Sequence, residues 1–599
     1  MVRIKTIVTI HSIILLILAF FIIFSISILF VPYESVLDFI NSFRPSDPYQ
    51  FYTNEYHTSF KIVCLLFSIL LFFSISLIYQ KKEYCIKIIR RIIDEAEMYL
   101  SVIRKEIRLF FTARRLTHNS IVLGVLFIGI LIRLMYINRP IFHDEAKTFY
   151  HFVSISWVNT ISNYFNTNNH VFHSILSRFC YVLFGNEEWV FRIPSLLFGI
   201  LTIVFIYIFS RKIFDKHIAI LLFAFSANAI PLVSYSVNAR GYTMITFFTL
   251  LLLCIIDSLN KKYSLLLWIL FVIISSLGLW TVPTMVMPIV FLLFWFLLNT
   301  NRANYVKDLF TIVIVGLACI FLSIIFYSPI ILRAKGTAPI IANEYIKSLE
   351  YKYIIDNLIN YLLTVWEFFY TGYFDIVQAM IFFIFIIGII VHLGNEKHRK
   401  FLFSFFFLII FVMLLLKKLP FARTLLFIYP IIGVYIVSGI LLLCRKFANL
   451  FQLDLEKIVN VVALSLFMLS TVTCISEKGI IDNWRNQTFP QAELVIKDLK
   501  KIINPNDMIE TSTPLAGPVR YYIVKNYVNE NQMHWHSIGK TKNRLIGKDN
   551  IYIITRQGRN NLKSFGYNQF FSLEGYTPPR IWKEYQNTVK VYIISRLSS

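Results

Sequence analysis

Acidic residues are scarce in this chain: 34 Asp and Glu stand against 58 Lys and Arg, giving a formal net charge of +24. Cysteine is scarce too. The seven (Cys64, Cys85, Cys180, Cys254, Cys319, Cys444 and Cys474) are scattered and mostly lie inside apolar runs. No CxxC and no Cys/His metal spacing occurs, so the cysteines read as small core residues. The C-terminal part has no GxGxxG and no phosphate-cradling glycine loop, so nothing there points to a nucleotide. A basic balance can signal nucleic acid. Here Lys and Arg gather in short segments between apolar runs, as the positive-inside bias requires, and no nucleic-acid partner is expected.

What the chain has in abundance is apolar sequence. At 57% hydrophobic and 17% aromatic residues, with mean hydropathy +0.65, it cannot be a water-soluble globule. Repeated apolar runs long enough for a bilayer predict a polytopic α-helical membrane protein of about 13 transmembrane helices. The first run, Ile7 to Phe30, is too long for a signal-peptide core and should be retained. Residues 1–118 read as two extra transmembrane helices and a basic cytoplasmic amphipathic segment, whose cations suit an anionic inner leaflet. Residues 119–474 read as the transmembrane core, with a first external loop at 138–190 and a further external loop at Ser328–Asp375. Residues 475–599 read as a soluble extracytoplasmic α/β domain, with strands at Met508–Thr513, Ile551–Arg556 and Val589–Arg596 and a helix at Val519–Val528. The alternation of basic segments puts the N-terminus inside and the C-terminus outside.

Within that frame one stretch stands out, Arg139-Pro140-Ile141-Phe142-His143-Asp144-Glu145-Ala146-Lys147. It follows the Ile121–Ile137 run and brings two carboxylates, an imidazole and two cations to the outer boundary of the membrane. Ionisable groups there are costly unless they pair or work. An ordinary polar loop beginning where hydrocarbon ends is the alternative. External loops should be poor in Lys and Arg, yet Arg139, Lys147, Arg240, Arg333, Lys335, Lys417, Lys418 and Arg423 break that rule. Snorkelling to lipid headgroups would account for one or two; convergence on an anionic substrate accounts for more. Glycosyl transfer from a lipid-phosphate donor fits such a set. A carboxylate serves as base for a hydroxyl acceptor, and cations stabilise the departing phosphate.

Several motifs then carry a family resemblance. His143-Asp144-Glu145, Asn168-Asn169-His170-Val171-Phe172-His173 and Glu188-Trp189-Val190-Phe191-Arg192-Ile193-Pro194-Ser195-Leu196-Leu197-Phe198-Gly199 follow one another in order. Tyr235-Ser236-Val237-Asn238-Ala239-Arg240-Gly241-Tyr242 and Leu419-Pro420-Phe421-Ala422-Arg423-Thr424 come after them. Together these resemble the polyprenyl-phosphate-sugar-dependent glycosyltransferases of the GT-C fold. The nearest branch looks like glycosyltransferase family 39, with the protein O-mannosyltransferases and the lipid A aminoarabinose transferase. The resemblance covers roughly Ile121–Leu443. It implies Asp144 as catalytic base and Glu145 as its companion, holding the acceptor or tuning Asp144. It also implies that Arg240 and Arg423 bind the lipid phosphate, with inversion at the anomeric carbon. The His-Pro-Pro motif of the protein O-mannosyltransferases is replaced here by Asn169-His170-Val171-Phe172, which puts a protein acceptor in doubt.

Lys417, Lys418 and Tyr242 are candidates to join the phosphate site. His143, Lys147, Asn169, His170 and His173 are candidates to touch donor or acceptor. His143, His170 and His173 could ligate a metal with Asp144, but such a pair of histidines more often makes polar contacts. No metal and no cofactor are therefore expected; a divalent cation is compatible with these residues but not indicated by them. The expected partners are a polyprenyl-phosphate sugar donor, membrane lipids and an extracytoplasmic lipid, glycan or protein acceptor. The Ile-, Asn-, Lys- and Phe-rich composition suggests an AT-rich bacterial genome, and the expected location is the bacterial plasma (inner) membrane. An envelope polysaccharide polymerase or ligase, and a lipid-linked sugar flippase or transporter, are the competing readings.

Overall fold

The computed structural model describes residues 2–42, 54–110, 116–164, 168–334, 349–477, 480, 489–511, 515–526, 533–535, 548–556, 576–585 and 589–597. Lys335, one of the expected external cations, lies outside them. The chain divides into two compact units, Met1–Asn119 with Tyr263–Leu270, and Ser120–Lys262 with Phe271–Ser599.

In the first unit α1 (Val2–Leu29) packs along α3 (Asn54–Gln80), with the short α2 (Tyr33–Ser42) between them in sequence. The basic segment forms α4 (Lys82–Phe110). On it Arg91 pairs with Glu95 one turn on, at 2.9 Å. Glu95 also accepts hydrogen bonds from Ser264 Oγ at 2.7 Å and from the Leu266 amide at 2.9 Å.

The second unit opens with α5 (Leu116–Tyr136), whose residues from Ser120 on belong to it, and continues through α6 (His143–Thr148), α7 (Trp157–Ser162) and α8 (Val171–Phe184). Next come α9 (Glu188–Ile213), α10 (Lys216–Ala227), α11 (Ile230–Ser236), α12 (Tyr242–Lys261), α13 (Leu265–Thr281, of which the residues from Phe271 on belong to this unit), α14 (Val286–Asn299) and α15 (Tyr305–Ala334). Then follow α16 (Tyr351–Phe369), α17 (Asp375–Leu393), α18 (Glu396–Leu415), α19 (Tyr429–Phe451) and α20 (Leu455–Ser476). Among the described residues nine helices are long and apolar enough to cross a membrane, and α10 with α11, bent by 62°, makes a tenth. The other expected spans are present as the short apolar α13 and the α14 region, and as α18, which opens on Glu396, Lys397, Arg399 and Lys400. The chain is a multi-pass helical membrane protein.

The bend between α10 and α11 has a chemical cause. Pro231 starts the new helix and cannot continue the old one, so the carbonyl of Ala227 is left without its helical donor. Arg133, fully buried in α5, supplies one: Nη1 donates to Ala227 O at 2.8 Å and Gly129 O at 2.9 Å, and Nε to Ser236 Oγ at 3.1 Å. The lone cation of that span is therefore a structural plug.

The segment Ser328–Asp375, expected as an external loop, contains more structure than a loop. Helix α15 continues to Ala334, and α16 buries Ile354, Val365 and Phe369, three positions on one helical face.

The C-terminal region is the expected α/β fold. Its five strands are β1 (Met508–Thr511), β2 (Met533–Trp535), β3 (Asn550–Arg556), β4 (Arg580–Tyr585) and β5 (Val589–Ser595), in the order β2-β1-β3-β5-β4. The first two pairings are parallel and the last two antiparallel, with Ile553 opposite Tyr592 in the β3–β5 ladder. Helices α21 (Ala492–Leu499) and α22 (Ala516–Lys525) cover the sheet. The core beneath them does not stop at the domain edge. Val495, Ile509, Val519, Tyr521, Ile554 and Val591 share one buried cluster with Ile141, Phe149, Val153 and Phe191 of the first external loop and α9.

Candidate active site

The site is built on α6, a helix of 6 residues that follows α5. Its Glu145 is wholly buried and ringed by donors. Arg192 of α9 meets it side-on, Nε to Oε1 and Nη2 to Oε2, both at 2.9 Å. The Ala239 amide reaches Oε1 at 2.7 Å and the Phe142 amide reaches Oε2 at 2.9 Å. Arg139 stands 3.7 Å from the same carboxylate. Burial alone would raise the Glu145 pKa, but Arg192, then Arg139, and the hydrogen bonds outweigh it and the net shift is downward. Arg192 also donates to the carbonyls of Ile137 at 2.7 Å and Arg139 at 2.6 Å, tying the loop's entry to α9. Glu145 thus has no oxygen left for an acceptor. It holds the loop.

Asp144 differs in every respect. Its side chain is 32% exposed, and its one ion pair among the described residues is with Arg423 at 3.8 Å. Its position comes from its backbone, whose carbonyl accepts Thr148 Oγ1 at 3.0 Å and Asn168 Nδ2 at 3.1 Å. Burial pushes its carboxyl up, yet Arg240, Arg423, His143 and Lys147 together hold it below the ordinary value. An ionised carboxylate beside a cationic surface is the result.

Arg240 and Arg423 arrive from two other elements. Arg240 lies in the turn between α11 and α12; its Nη1 donates to Asn168 O at 2.6 Å and Thr148 Oγ1 at 3.1 Å. Its Nε is buried without a partner among the described residues. Gly241 follows because a Cβ there would lie 2.3 Å from the Thr281 side chain. The Gly241 amide donates to His170 Nδ1 at 2.8 Å. Arg423 sits in the 3-10 turn Ala422–Ile428, and its Nε donates to the Tyr242 hydroxyl at 3.2 Å.

The remaining candidates divide. Lys147 is partly buried, lowered by desolvation and by Arg240 and lifted by Asp144, with a net downward shift. Asn169 turns its amide to the carbonyls of Thr160 and Asn163, at 2.8 and 2.7 Å, and so orders the loop. His170 faces Gly241, His173 faces Ser195 Oγ at 2.7 Å, and His143 accepts from the Gly517 amide at 3.2 Å. The three rings have three separate partners, and among the described residues no group of three His, Cys, Asp or Glu is placed to hold a metal ion. Lys417, in the left-handed region at φ 48°, stands 4.5 Å over the Tyr351 ring, and Lys418 is partly exposed near it in sequence. Arg333 donates to Asn159 Oδ1 and Ser162 Oγ, at 3.0 and 2.9 Å.

Arg192 was not among the cations singled out from the sequence. It breaks the same rule as the others, since it stands in the N-terminal part of an apolar helix, at the end that the charge pattern assigns to the outside. Thr148, which supports Asp144 and Arg240, has no distinctive spacing that would reveal it, while Asn168 and Ser195, which do the same, lie within the family-like motifs without being singled out there.

The comparisons with known proteins agree with this architecture. Residues 171–329 match the family model of dolichyl-phosphate-mannose-protein mannosyltransferase. Two solved structures of ArnT from Cupriavidus metallidurans are similar over 80% of this chain and 98% of theirs, at 11% identity. The apo state gives a TM-score of 0.53 and the state bound to undecaprenyl phosphate 0.52. No curated protein sequence matches the chain. The chain has the GT-C fold, as its motifs imply.

Proposed function

We propose that this protein is a glycosyltransferase of the bacterial plasma membrane that moves a sugar from a polyprenyl-phosphate donor to an extracytoplasmic acceptor. The observation that carries the reading is the pairing of one accessible carboxylate, Asp144, with Arg423 beside it and with Arg240 close enough to depress its pKa. In the reaction Asp144 takes the proton of the acceptor hydroxyl as that oxygen bonds to the anomeric carbon. The bond from this carbon to the phosphate oxygen breaks, and the polyprenyl phosphate leaves with the electron pair. Arg423 and Arg240 stabilise the charge that grows on it. The proton then passes from Asp144 to water. Attack opposite the leaving phosphate inverts the anomeric centre. Undecaprenyl phosphate bound to an ArnT of the same fold supports a lipid phosphate as the donor's carrier.

Glu145, Arg192 and Arg139 are the scaffold on which Asp144 stands. The site, the first external loop and the C-terminal domain would all face outward and the N-terminus the cytoplasm. A transporter would instead need charges along a path through mid-membrane, whereas Arg133, the one cation of α5, stands in its last turn and is occupied by helix carbonyls. The test uses purified protein with a polyprenyl-phosphate sugar and an acceptor extract, comparing wild type with Asp144→Asn. Transfer should vanish in the variant while undecaprenyl phosphate still binds. Transfer surviving the substitution would remove Asp144 as base, and absence of any lipid-phosphate binding would remove the enzyme class.

A further inference from the structure

The carboxylate of Asp144 makes no short hydrogen bond among the described residues, so its location is set by the residues on either side of it. On one side Glu145 is fixed by the membrane core through Arg192 and the Ala239 amide. On the other side His143 is 2% exposed and meets the C-terminal domain. Its Nδ1 accepts the Gly517 amide at 3.2 Å, near the start of α22. The two backbones touch so closely that a Cβ on Gly517 would lie 2.5 Å from His143 Nδ1 and 3.0 Å from both its Cα and its carbonyl oxygen. Two of those three atoms are backbone and cannot swing aside.

Further contacts hold α22 in that position. Tyr521 Oη donates to Asn186 O at 2.7 Å, and Lys525 bridges Glu187 and Glu188, each at 2.8 Å. The Arg520 guanidinium lies 4.4 Å over the Tyr150 ring. The Tyr521 ring packs edge-on against Phe149 at 5.0 Å. Loop and domain share one buried apolar cluster. The domain is therefore fastened to the segment that carries Asp144.

We infer that the C-terminal domain is part of the catalytic apparatus: through the Gly517–His143 contact, α22 sets the position of Asp144, and His143 is a positioning residue. This rests on Asp144 being the base. A displacement of the base by about 1 Å can cost on the order of 100-fold in rate. Gly517→Ala forces such a displacement, and His143→Ala removes the acceptor without adding atoms. His143→Asn keeps an acceptor at nearly the same distance from the backbone.

The experiment combines hydrogen exchange with kinetics on full-length protein in detergent. In Gly517→Ala and His143→Ala the amides of residues 142–148 should exchange faster while those of α9 and α12 keep their protection. Turnover should fall at least tenfold, with the donor KM within about twofold of wild type. His143→Asn should recover most of both. The double variant should be no worse than the more damaging single one, because both substitutions cut the same contact. Unchanged exchange at 142–148 in both single variants would overturn the inference whether or not sugar transfer is ever seen. So would equal losses of turnover and of undecaprenyl phosphate binding that track a lower melting temperature. If exchange responds as stated but Asp144→Asn still transfers sugar, the positioning contact stands and the assignment of the base falls.

Discussion

Replacing Glu145 separates scaffold from chemistry more sharply than any other single change. The carboxylate is fully buried and receives two hydrogen bonds from Arg192 and one each from the Phe142 and Ala239 amides. Removing one partner of a buried ion pair costs about 3–5 kcal/mol, because the remaining charge is left uncompensated. Here two guanidinium groups, Arg192 and Arg139, would be left facing each other. Each orphaned buried amide adds about 1–3 kcal/mol. Glu145→Ala should therefore lose a large part of the roughly 5–15 kcal/mol that a folded domain commands, and express poorly. Glu145→Gln keeps the shape and one acceptor oxygen but turns an NH2 toward a donor. It should melt well below wild type and retain measurable transfer per folded molecule. The assay is thermal melting in detergent beside turnover, with Asp144→Asn as the contrasting variant, stable and inactive. A Glu145→Gln protein that melts like wild type yet transfers nothing would refute the scaffold role and return Glu145 to the chemistry.

Arg423→Gln removes one of the cations that hold the Asp144 pKa down. The folded carboxyl should titrate higher than in wild type, so the acidic limb of kcat/KM should move toward neutral pH; an unmoved limb would show that the two groups are not coupled. Tyr242→Phe deletes the hydroxyl that orients Arg423. A hydrogen bond to a charged group is worth about 1.5–3 kcal/mol, and undecaprenyl phosphate binding should weaken about tenfold; equal affinity in the two proteins would count against a phosphate role for Arg423. Histidines make the fold acid-sensitive. His151 is pushed down to about 4 by burial and then by Arg520 and Lys147, and His170 well below its ordinary value by burial and then by Arg240. The unfolded chain binds protons below about pH 6.5 that the folded chain refuses. Their contribution is thus present above that pH and lost on acidification toward 4, so melting temperature should drop between pH 7.5 and 5. A rise would contradict it.

The amino-acid sequence determined a good deal of this protein. Runs such as Ile7–Phe30 and Ile193–Phe209 carry their helical, membrane-spanning character in composition alone, because a bilayer rewards apolar length whatever the neighbours are. Local β-branched runs likewise marked Ile551–Arg556 and Val589–Arg596 as strands, and one of the cations that break the loop-charge rule, Arg423, lies 3.8 Å from Asp144 in the fold. Tertiary structure decided how the charges divide. Asp144 and Glu145 are adjacent carboxylates with nothing in their spacing to tell them apart; Arg192, 47 residues along the chain from Glu145, makes one of them scaffold and leaves the other accessible. Arg139 joined the scaffold, while Lys417 turned to Tyr351 and Arg333 to α7. Helix α16 escaped notice because its buried face is narrow. The C-terminal domain looked separate in sequence, yet its core runs into the loop that carries Asp144. Pairing across dozens or hundreds of residues depends on which backbones the packed helices bring together, and no local pattern encodes that.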